Sequence, residues 1–327
     1  FWLGCQNKPE SLSFASTLER LDIPVGMTGR IIFVEERGQP NYRIAALDLA
    51  TGAIDTIFAI PSGGFVYQFE ATPNHQYLLM AYTAPAETGQ SPFDRSGLYL
   101  LDLNQPTKKP QLLLGGDRSN VYYFDPTLSS DGNTVIYVKS APAETPAVTI
   151  NRHALDTGED ELLVGDATWP RLSPNQDLVS HITFDSKTGQ QRLQTTNLQT
   201  KQSTFLLDDN AFYDVDRPLF SPDGAWIYFV ALEPPEAYLW GKLWGVQIAQ
   251  AHGNHDIPGN WWRIPTQGGT PEPITRASET FIAGAFSPDG QTLGLSSRSG
   301  LYLVDAEGGE MMQIVKARTI RHIVWLP

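Results

Sequence analysis

The stretch Arg217–Val230 reads RPLFSPDGAWIYFV, and Gly284–Ser297 reads GAFSPDGQTLGLSS. Both contain the pentapeptide FSPDG, and both continue into an alternating run of apolar residues. In such a turn proline fixes φ at the second position, aspartate bonds to nearby backbone, and glycine accepts a positive φ. The pattern therefore predicts a strand, a tight turn and a second strand. A match of this length within one chain indicates a repeated structural unit.

Three weaker copies of the turn align on the proline of the pentapeptide, which we call the anchor position. They are Glu70–His75, Thr127–Gly132 and Arg171–Gln176, so the anchors stand at positions 73, 130, 174, 222 and 288. A second polar turn follows later in each unit, as in Ala46–Gly52 and Val304–Gly309, and a short last strand follows in most. Units of four strands repeated every 40–60 residues or so are typical of β-propellers.

The two ends of the chain supply parts of one further unit. Arg321–Pro327 reads as a strand that ends in the anchor proline, and Thr28–Ile60 supplies the turn and the three strands that are missing after it. We therefore expect an all-β fold, a six-bladed β-propeller of four-stranded blades spanning residues 28–327. The C-terminal strand would join the N-terminal blade and close the ring, leaving no exposed sheet edge at the junction.

These repeats resemble those of TolB-type β-propellers, a class with WD-like repeats. The resemblance rests on the FSPDG anchors and on WRIPTQGGTPEPIT at Trp262–Thr275, and it covers about residues 28–327. It implies an extracytoplasmic propeller that binds other proteins. TolB proteins also carry an α/β domain before the propeller, which we expect to be absent here, so the role of that domain is not carried over.

The first residues, FWLGCQ at Phe1–Gln6, resemble the end of a bacterial lipoprotein signal peptide. In that family the cysteine becomes the lipidated first residue, although Trp2 stands where leucine would be expected. The resemblance implies a signal-peptide remnant at residues 1–5, a tether at 6–27 and lipid attachment at Cys5. The protein would then lie outside the cytoplasmic membrane, anchored to its surface. An uncleaved anchor or a free N-terminal cysteine is the alternative.

Composition excludes several other classes. The 327 residues carry a net charge of −13, and so acidic a chain repels phosphate backbones, so we expect no nucleic-acid partner. Cys5 is the only cysteine, which excludes an internal disulfide and a cysteine-rich zinc site. No run of 18 apolar residues exists that would span a membrane as a helix.

Motifs for catalysis or cofactor binding are weak, and we expect no cofactor. Gly294–Arg298 reads GLSSR, which lacks the last glycine of a nucleophile elbow and lies within a predicted strand. His252, His255 and Asp256 form a weak candidate metal site, because a catalytic zinc site needs three firm ligands. A solvated loop is the preferred interpretation of these three residues.

The first candidate binding surface is the funnel at the ring centre. Five residues before each anchor stands a position that is predicted to face the axis; these positions hold Gln68, Asp125, Trp169, Arg217, Ala283 and His322. The preceding positions hold Tyr67, Phe124, Thr168, Asp216, Ile282 and Arg321. Such a mixture of acid, base, amide and aromatic groups suits a peptide or a small polar ligand. A plain water-filled channel is the alternative.

The second candidate surface is an insert of 26 residues, Glu233–Pro258. Its segment YLWGKLWGVQI has apolar residues four apart, which is compatible with a short amphipathic helix carrying Tyr238, Trp240 and Trp244. Exposed tryptophans in a long loop would indicate a contact with a protein or a membrane surface. Alternatively, both tryptophans fold back and cover the propeller.

The sequence thus favours a non-catalytic extracytoplasmic scaffold, or an accessory subunit of an envelope complex, that binds a protein or peptide of the cell envelope. One alternative is a propeller hydrolase or lyase that acts from the funnel, with a metal at His252 and His255 or at His322. The other is a sensor that binds a small polar ligand in the funnel.

Overall fold

A computed structural model describes residues 18–37, 42–86, 95–105, 108–116, 120–185, 190–208, 211–233, 259–277 and 279–327. These residues form strands, turns and loops, and none of them lies in a helix long and apolar enough to cross a membrane. The strands in chain order are β1 (Glu19–Arg20), β2 (Arg30–Glu36), β3 (Tyr42–Asp48), β4 (Ile54–Ile60), β5 (Phe65–Ala71), β6 (Tyr77–Thr83), β7 (Ser96–Asp102), β8 (Gln111–Gly115), β9 (Tyr122–Leu128), β10 (Thr134–Ser140), β11 (Val148–Ala154), β12 (Asp160–Gly165), β13 (Ala167–Leu172), β14 (Leu178–Phe184), β15 (Gln191–Asn197), β16 (Ser203–Phe205), β17 (Asp214–Phe220), β18 (Trp226–Leu232), β19 (Asn260–Pro265), β20 (Glu272–Pro273), β21 (Phe281–Phe286), β22 (Thr292–Ser297), β23 (Gly300–Asp305), β24 (Met312–Lys316) and β25 (Ile320–Leu326).

The strands form six antiparallel sheets arranged as the blades of a propeller. Blade 1 has the order β25-β2-β3-β4, so the last strand of the chain is its innermost strand. Blades 2 to 6 follow in sequence as β5–β8, β9–β12, β13–β16, β17–β20 and β21–β24. The predicted fold class is therefore confirmed, including the closure of the ring by the C-terminal strand.

The FSPDG motif forms the turn between the first and second strands of a blade. In blade 5 the Ser221 hydroxyl donates to Asp223 Oδ1 (2.6 Å) and accepts from the Trp226 backbone N–H (2.9 Å). The Asp223 carboxylate also accepts from the Ala225 N–H, and Gly224 has a φ of 72°. The same bonds recur in blade 6 around Ser287 and in blade 3 around Ser129.

Two copies of the turn lack the glycine but keep the backbone conformation. His75 in blade 2 and Gln176 in blade 4 occupy the glycine position with φ values of 56° and 61°. Each donates its backbone N–H to the carbonyl three residues earlier, as the glycines do. The turn geometry is therefore imposed by the blade, and a left-handed backbone is kept even where the side chain disfavours it.

The hydrophobic core lies between the blades. The buried apolar residues described form six clusters, and each cluster is shared by two neighbouring blades. The cluster between blades 6 and 1 joins Leu301 and Ile314 to Phe33, Leu47 and Trp325. Closing the ring at blade 1 is thus accompanied by the same kind of apolar packing that joins every other pair of blades.

Residues 18–27, at the end of the expected tether, lie on the propeller. β1 adds a fifth strand to the outer edge of blade 6, where Glu19 and Arg20 pair with Lys316 and Val315 of β24. Leu18, Ile23 and Met27 pack against the cluster between blades 6 and 1. This segment therefore covers the junction at which the ring closes.

Candidate binding site in the central channel

Each innermost strand has a shift in register at or next to the position five residues before the anchor. In blades 3, 4 and 5 this position holds Asp125, Trp169 and Arg217, with positive φ values of 46°, 56° and 54°. In each case a proline follows in the sequence. A bulge accommodates proline, since proline cannot donate to the strand ladder, and bulges redirect side chains. Positive φ at three non-glycine residues costs roughly 1–3 kcal/mol each and is typical of functional sites.

Asp125 lies at the centre of a polar group that joins blades 2, 3 and 4. With the Gln68 amide oriented so that its nitrogen faces Asp125, it donates to Asp125 Oδ1 and its oxygen accepts from Arg171. The Trp169 backbone N–H donates to Asp125 Oδ2 at 3.4 Å. Burial raises the pKa of Asp125 to about 6; the Asp216 carboxylate adds to the rise, whereas the Arg171 guanidinium opposes it. Asp125 is thus a carboxyl group that titrates near neutral pH inside the channel.

Arg217 extends this group into blade 5. Its backbone N–H and Nη1 donate to the Asp216 carboxylate at 2.8 and 2.7 Å, and its guanidinium carbon lies 5.1 Å from the centre of the Trp169 ring. The Asp216 ion pair and the cation–π contact fix the guanidinium against the channel wall.

His322 reaches the channel from blade 1, on the strand that closes the ring. Burial lowers the pKa of His322 well below its usual value, and the positive charges of Arg217, Arg171 and Arg321 lower it further. The imidazole is therefore neutral at physiological pH. Arg321 itself pairs with Glu36 at 3.2 Å. The structure thus brings Gln68, Asp125, Trp169, Arg217 and His322 together around one constriction, and their role in binding a partner stays a prediction.

Three residues before each anchor, the innermost strands contribute a further ring that the sequence analysis missed. Its members are Glu70, Thr127, Arg171, Leu219, Ala285 and Val324. Blades 2 to 4 supply the polar members and blades 5, 6 and 1 the apolar ones, so the ring has a polar half and an apolar half. The repeat itself provides the signal, because these positions stand at the same offset from the anchor in every blade.

This further ring lines a cavity of about 440 Å³ at the end of the channel where the anchor turns lie, which we call the wide mouth. All six blades contribute to the wide mouth, and Pro73, Ser130, Pro174 and Pro222 of the anchor turns form part of its edge. Burial raises the pKa of Glu70, although Arg171 opposes the rise, and one oxygen of Glu70 has no hydrogen-bond partner in the part of the chain described. A buried carboxyl oxygen without a described donor therefore lies beside the wide mouth.

An aromatic group lies where the innermost strands begin, at the opposite end of the channel. The Tyr67 ring makes edge-on contacts with Phe65 and Phe124, at centroid distances of 4.8 and 4.9 Å. The Arg321 guanidinium lies 5.8 Å from the centre of the Phe65 ring. These rings pack on one another and narrow the channel between blades 1, 2 and 3.

Of the other residues considered for catalysis, metal binding, partner binding or lipid attachment, some lie in the described part of the chain and others lie outside it. Ser296 is completely buried in the second strand of blade 6, so it cannot reach a substrate. No group of three or more His, Cys, Asp or Glu side chains suited to a metal occurs within the described ranges. His252, His255, Asp256, Tyr238, Trp240, Trp244 and Cys5 lie outside the described residues.

Comparison with solved structures identifies the same architecture elsewhere. TolB from Acinetobacter baumannii superposes with a TM-score of 0.68 at 17% identity, over 93% of this chain and 68% of that one. A putative TolB from Agrobacterium tumefaciens gives a TM-score of 0.61 at 17% identity, over 92% of this chain and 100% of that one. An oligogalacturonate lyase solved in complex with manganese gives 0.52 at 9% identity, over 92% and 85% of the two chains.

No protein-family model matches the chain, and no curated protein matches it in sequence. At identities of 17% and below, the likeness establishes the fold. The chain therefore has a TolB-like six-bladed propeller, as its repeats predict.

Proposed function

We propose that this protein is a non-catalytic, extracytoplasmic propeller that binds a protein or peptide of the cell envelope, as a scaffold or as an accessory subunit. One observation carries the proposal. All six blades contribute to a single cavity of about 440 Å³ at the wide mouth, within the range of volumes that bind ligands or peptide segments.

The chemistry of the wide mouth suits a protein segment of mixed character. Glu70 and Arg171 supply a carboxyl and a guanidinium group on one side, and Leu219, Ala285 and Val324 supply an apolar wall on the other. A peptide carries both hydrogen-bonding backbone and apolar side chains, so it can use both halves at once. The anchor turns at the edge are fixed by their own hydrogen bonds, so ligand binding would cost little ordering of the protein.

The expected lipid anchor at Cys5 belongs to the same proposal, as does a location outside the cytoplasmic membrane. The motif at Phe1–Gln6 and the TolB-like fold support it. The described chain begins at the outer edge of blade 6, at β1, and not at the wide mouth.

The proposal is tested by affinity capture from detergent-solubilised native membranes with two matched variants of blade 3. Ser130→Arg places a long charged side chain at the edge of the wide mouth, whereas Thr157→Arg places it in the outer turn of the same face. Both positions are exposed. We expect one stoichiometric envelope protein with the unaltered chain and Thr157→Arg, and its loss with Ser130→Arg.

Deletion of Glu233–Pro258 distinguishes the wide mouth from the insert. Retention of the partner by this deletion supports the wide mouth, and loss of the partner assigns binding to the insert with Tyr238, Trp240 and Trp244. Retention by Ser130→Arg together with loss on deletion would overturn the proposal for the wide mouth. Failure to capture any envelope protein with the unaltered chain would contradict the scaffold function itself.

The channel also supports the alternative of a ligand-binding or catalytic funnel, since Asp125 and His322 have strongly shifted pKa values and perturbed groups concentrate at functional sites. A metal assay on the purified protein tests this alternative. Stoichiometric metal that is lost in His255→Ala or His322→Ala would favour a metal-assisted hydrolase or lyase.

A further inference from the structure

A second, much smaller cavity lies in the channel constriction beside the bulges. Its volume is about 30 Å³, which is enough for one or two atoms of the size of a water molecule. Its polar lining includes Gln68, Trp169, Arg171, Arg217 and His322, which four different blades supply. The site is therefore too small for a phosphate or a carboxylic acid and suits a single small ion or a water.

Two residues of the lining carry an N–H group that has no acceptor in the part of the chain described. Arg217 Nε is buried without a hydrogen-bond partner, although Nη1 of the same guanidinium is bonded to Asp216. Trp261, on the third strand of blade 5, lines the same cavity and is 1% exposed, and its Nε1 is also without a partner. Buried N–H groups are normally satisfied by protein, water or an ion, so two of them on residues that line one cavity point to a bound acceptor.

The charges around the cavity favour an anion as that acceptor. The guanidinium groups of Arg171 and Arg217 both contribute to the lining, and the imidazole of His322 beside them is neutral. Asp125 and Asp216 are close but do not belong to the described lining; Asp125 is bonded to Gln68 and the Trp169 backbone, and Asp216 to Arg217. A water could also accept both N–H bonds and donate to the neutral His322 imidazole, so the two guanidinium charges are what favours an anion over water.

From this geometry we infer that the constriction binds one desolvated halide ion, chloride under cellular conditions, between Arg171, Arg217 and Trp261. The ion accepts the two unpaired N–H bonds and joins the innermost strands of blades 4 and 5 to the third strand of blade 5. Gly284 of blade 6 completes the wall, because a Cβ there would lie 2.7 Å from the Trp261 ring and displace it. Halide binding is independent of whether the wide mouth binds a protein.

The solution test is thermal unfolding of the full chain at constant ionic strength, with sodium gluconate replaced stepwise by sodium chloride. A ligand that binds the folded state raises Tm with its concentration, so we expect a saturable rise with chloride and with bromide. Trp261→Phe removes the N–H and retains most of the ring. It should weaken the apparent chloride affinity at least about tenfold, because hydrogen bonds to charged groups are among the strongest.

Trp262→Phe is the matched control. Trp262 is the next residue on the same strand, and its Nε1 is likewise buried and unpaired in the described part of the chain, but it does not line this cavity. It should keep the chloride response of the unaltered chain. An equal response to chloride and gluconate, or the same response in Trp261→Phe as in Trp262→Phe, would overturn the inference.

Crystals of the unaltered chain soaked in bromide provide a second test that does not depend on folding of a variant. We expect an anomalous peak within hydrogen-bonding distance of Arg217 Nε and Trp261 Nε1. Ordered water at that position without bromide would overturn the halide assignment.

Discussion

The anchor turns and the channel positions five residues before them occur once in every blade, but they differ in what is repeated. The turns repeat their chemistry, since Ser129, Ser221 and Ser287 make the same bonds to an aspartate and to the backbone. The channel positions recur at the same offset from the anchor but carry different side chains. They hold Gln68, Asp125, Trp169, Arg217, Ala283 and His322. The turn residues that are the same in several blades therefore explain the architecture. The channel residues that differ from blade to blade indicate where a specific function resides.

The electrostatics of the two regions differ in the same way. Hydrogen bonds from serine lower the pKa of Asp131, Asp223 and Asp289 in the turns. Burial raises the pKa of Glu70 and Asp125 in the channel. The turns thus stabilise ionised carboxylates, whereas burial in the channel disfavours them.

The largest expected effect is that of opening the ring. Deletion of Ile320–Pro327 removes β25, which carries both the bulge and the anchor of blade 1 and buries Trp325 between blades 6 and 1. We expect no cooperative unfolding transition in circular dichroism or calorimetry. Deletion of residues 1–27 is the control, because the described contacts that it removes are the pairing of β1 with β24 and the packing of Leu18, Ile23 and Met27, and it should unfold cooperatively at a lower Tm. Equal Tm values for the first deletion and the intact chain would contradict ring closure.

The next effect concerns pH. The pKa of Asp125 is raised from 3.8 to about 6 in the folded state, so its contribution to stability is present below pH 4 and is lost as pH rises through 6. The loss amounts to at most about 3 kcal/mol. Denaturant unfolding between pH 4 and 7 should show this loss in the unaltered chain and not in Asp125→Asn.

Asp223→Asn provides the comparison in a turn. Because the pKa of Asp223 is lowered, its contribution is present above the unfolded pKa and is lost as pH falls. The difference in stability between the unaltered chain and Asp125→Asn should therefore shrink as pH rises from 4 to 7, whereas the difference for Asp223→Asn should shrink as pH falls below 3.8. The same direction for both would contradict the contrast between turn and channel.

A smaller effect tests the uniformity of the turns. Ser129→Ala, Ser221→Ala and Ser287→Ala each remove a hydroxyl with two hydrogen bonds, and each should cost about 1–2 kcal/mol of unfolding free energy. Urea titration of the three variants measures the values side by side. A spread of more than about 1 kcal/mol would show that the turns are not energetically equivalent.

The smallest effect is a gain in stability. His75 holds a positive φ of 56° at the position where other turns have glycine, so His75→Gly relieves about 1–2 kcal/mol of strain and costs about 0.5–1 kcal/mol in chain entropy. A net stabilisation of about 0.5–1 kcal/mol is expected in urea. Gly224→Ala, at a φ of 72°, should act in the opposite direction. Destabilisation by His75→Gly would contradict this account of the turn.

The sequence predicts most of the fold because each blade signals its own strands. The segment Thr28–Ile60, which the repeat assigns to a turn and three strands of the N-terminal blade, contains β2, β3 and β4. Outer strands carry weak signals because they pack on one side only. The pairing of β1 with β24 was not predicted, because two exposed residues leave no periodic pattern.

The candidate site was predicted in part. The repeat alone places Gln68, Asp125, Trp169, Arg217 and His322 on one ring. It gives no indication of the hydrogen bonds among Gln68, Asp125 and Arg171, because these join side chains of different blades. The prolines at 126, 170 and 218 do signal the bulges, since each follows its channel residue at the same offset. The contribution of Trp261 to the lining of the small cavity has no such signal, because Trp261 lies on the third strand of its blade and not on the innermost strand.

The measurement that tests the central claim most directly is site-specific photo-crosslinking in native cells. A crosslinking residue is placed at Ser130 and Pro222 at the wide mouth, and at Thr157 and Gln267 in the outer turns of the same two blades and the same face. The account predicts that one envelope protein crosslinks from both mouth positions and from neither outer position. Crosslinks to that protein from the outer turns alone, or equally from all four positions, would contradict the wide mouth as the binding site.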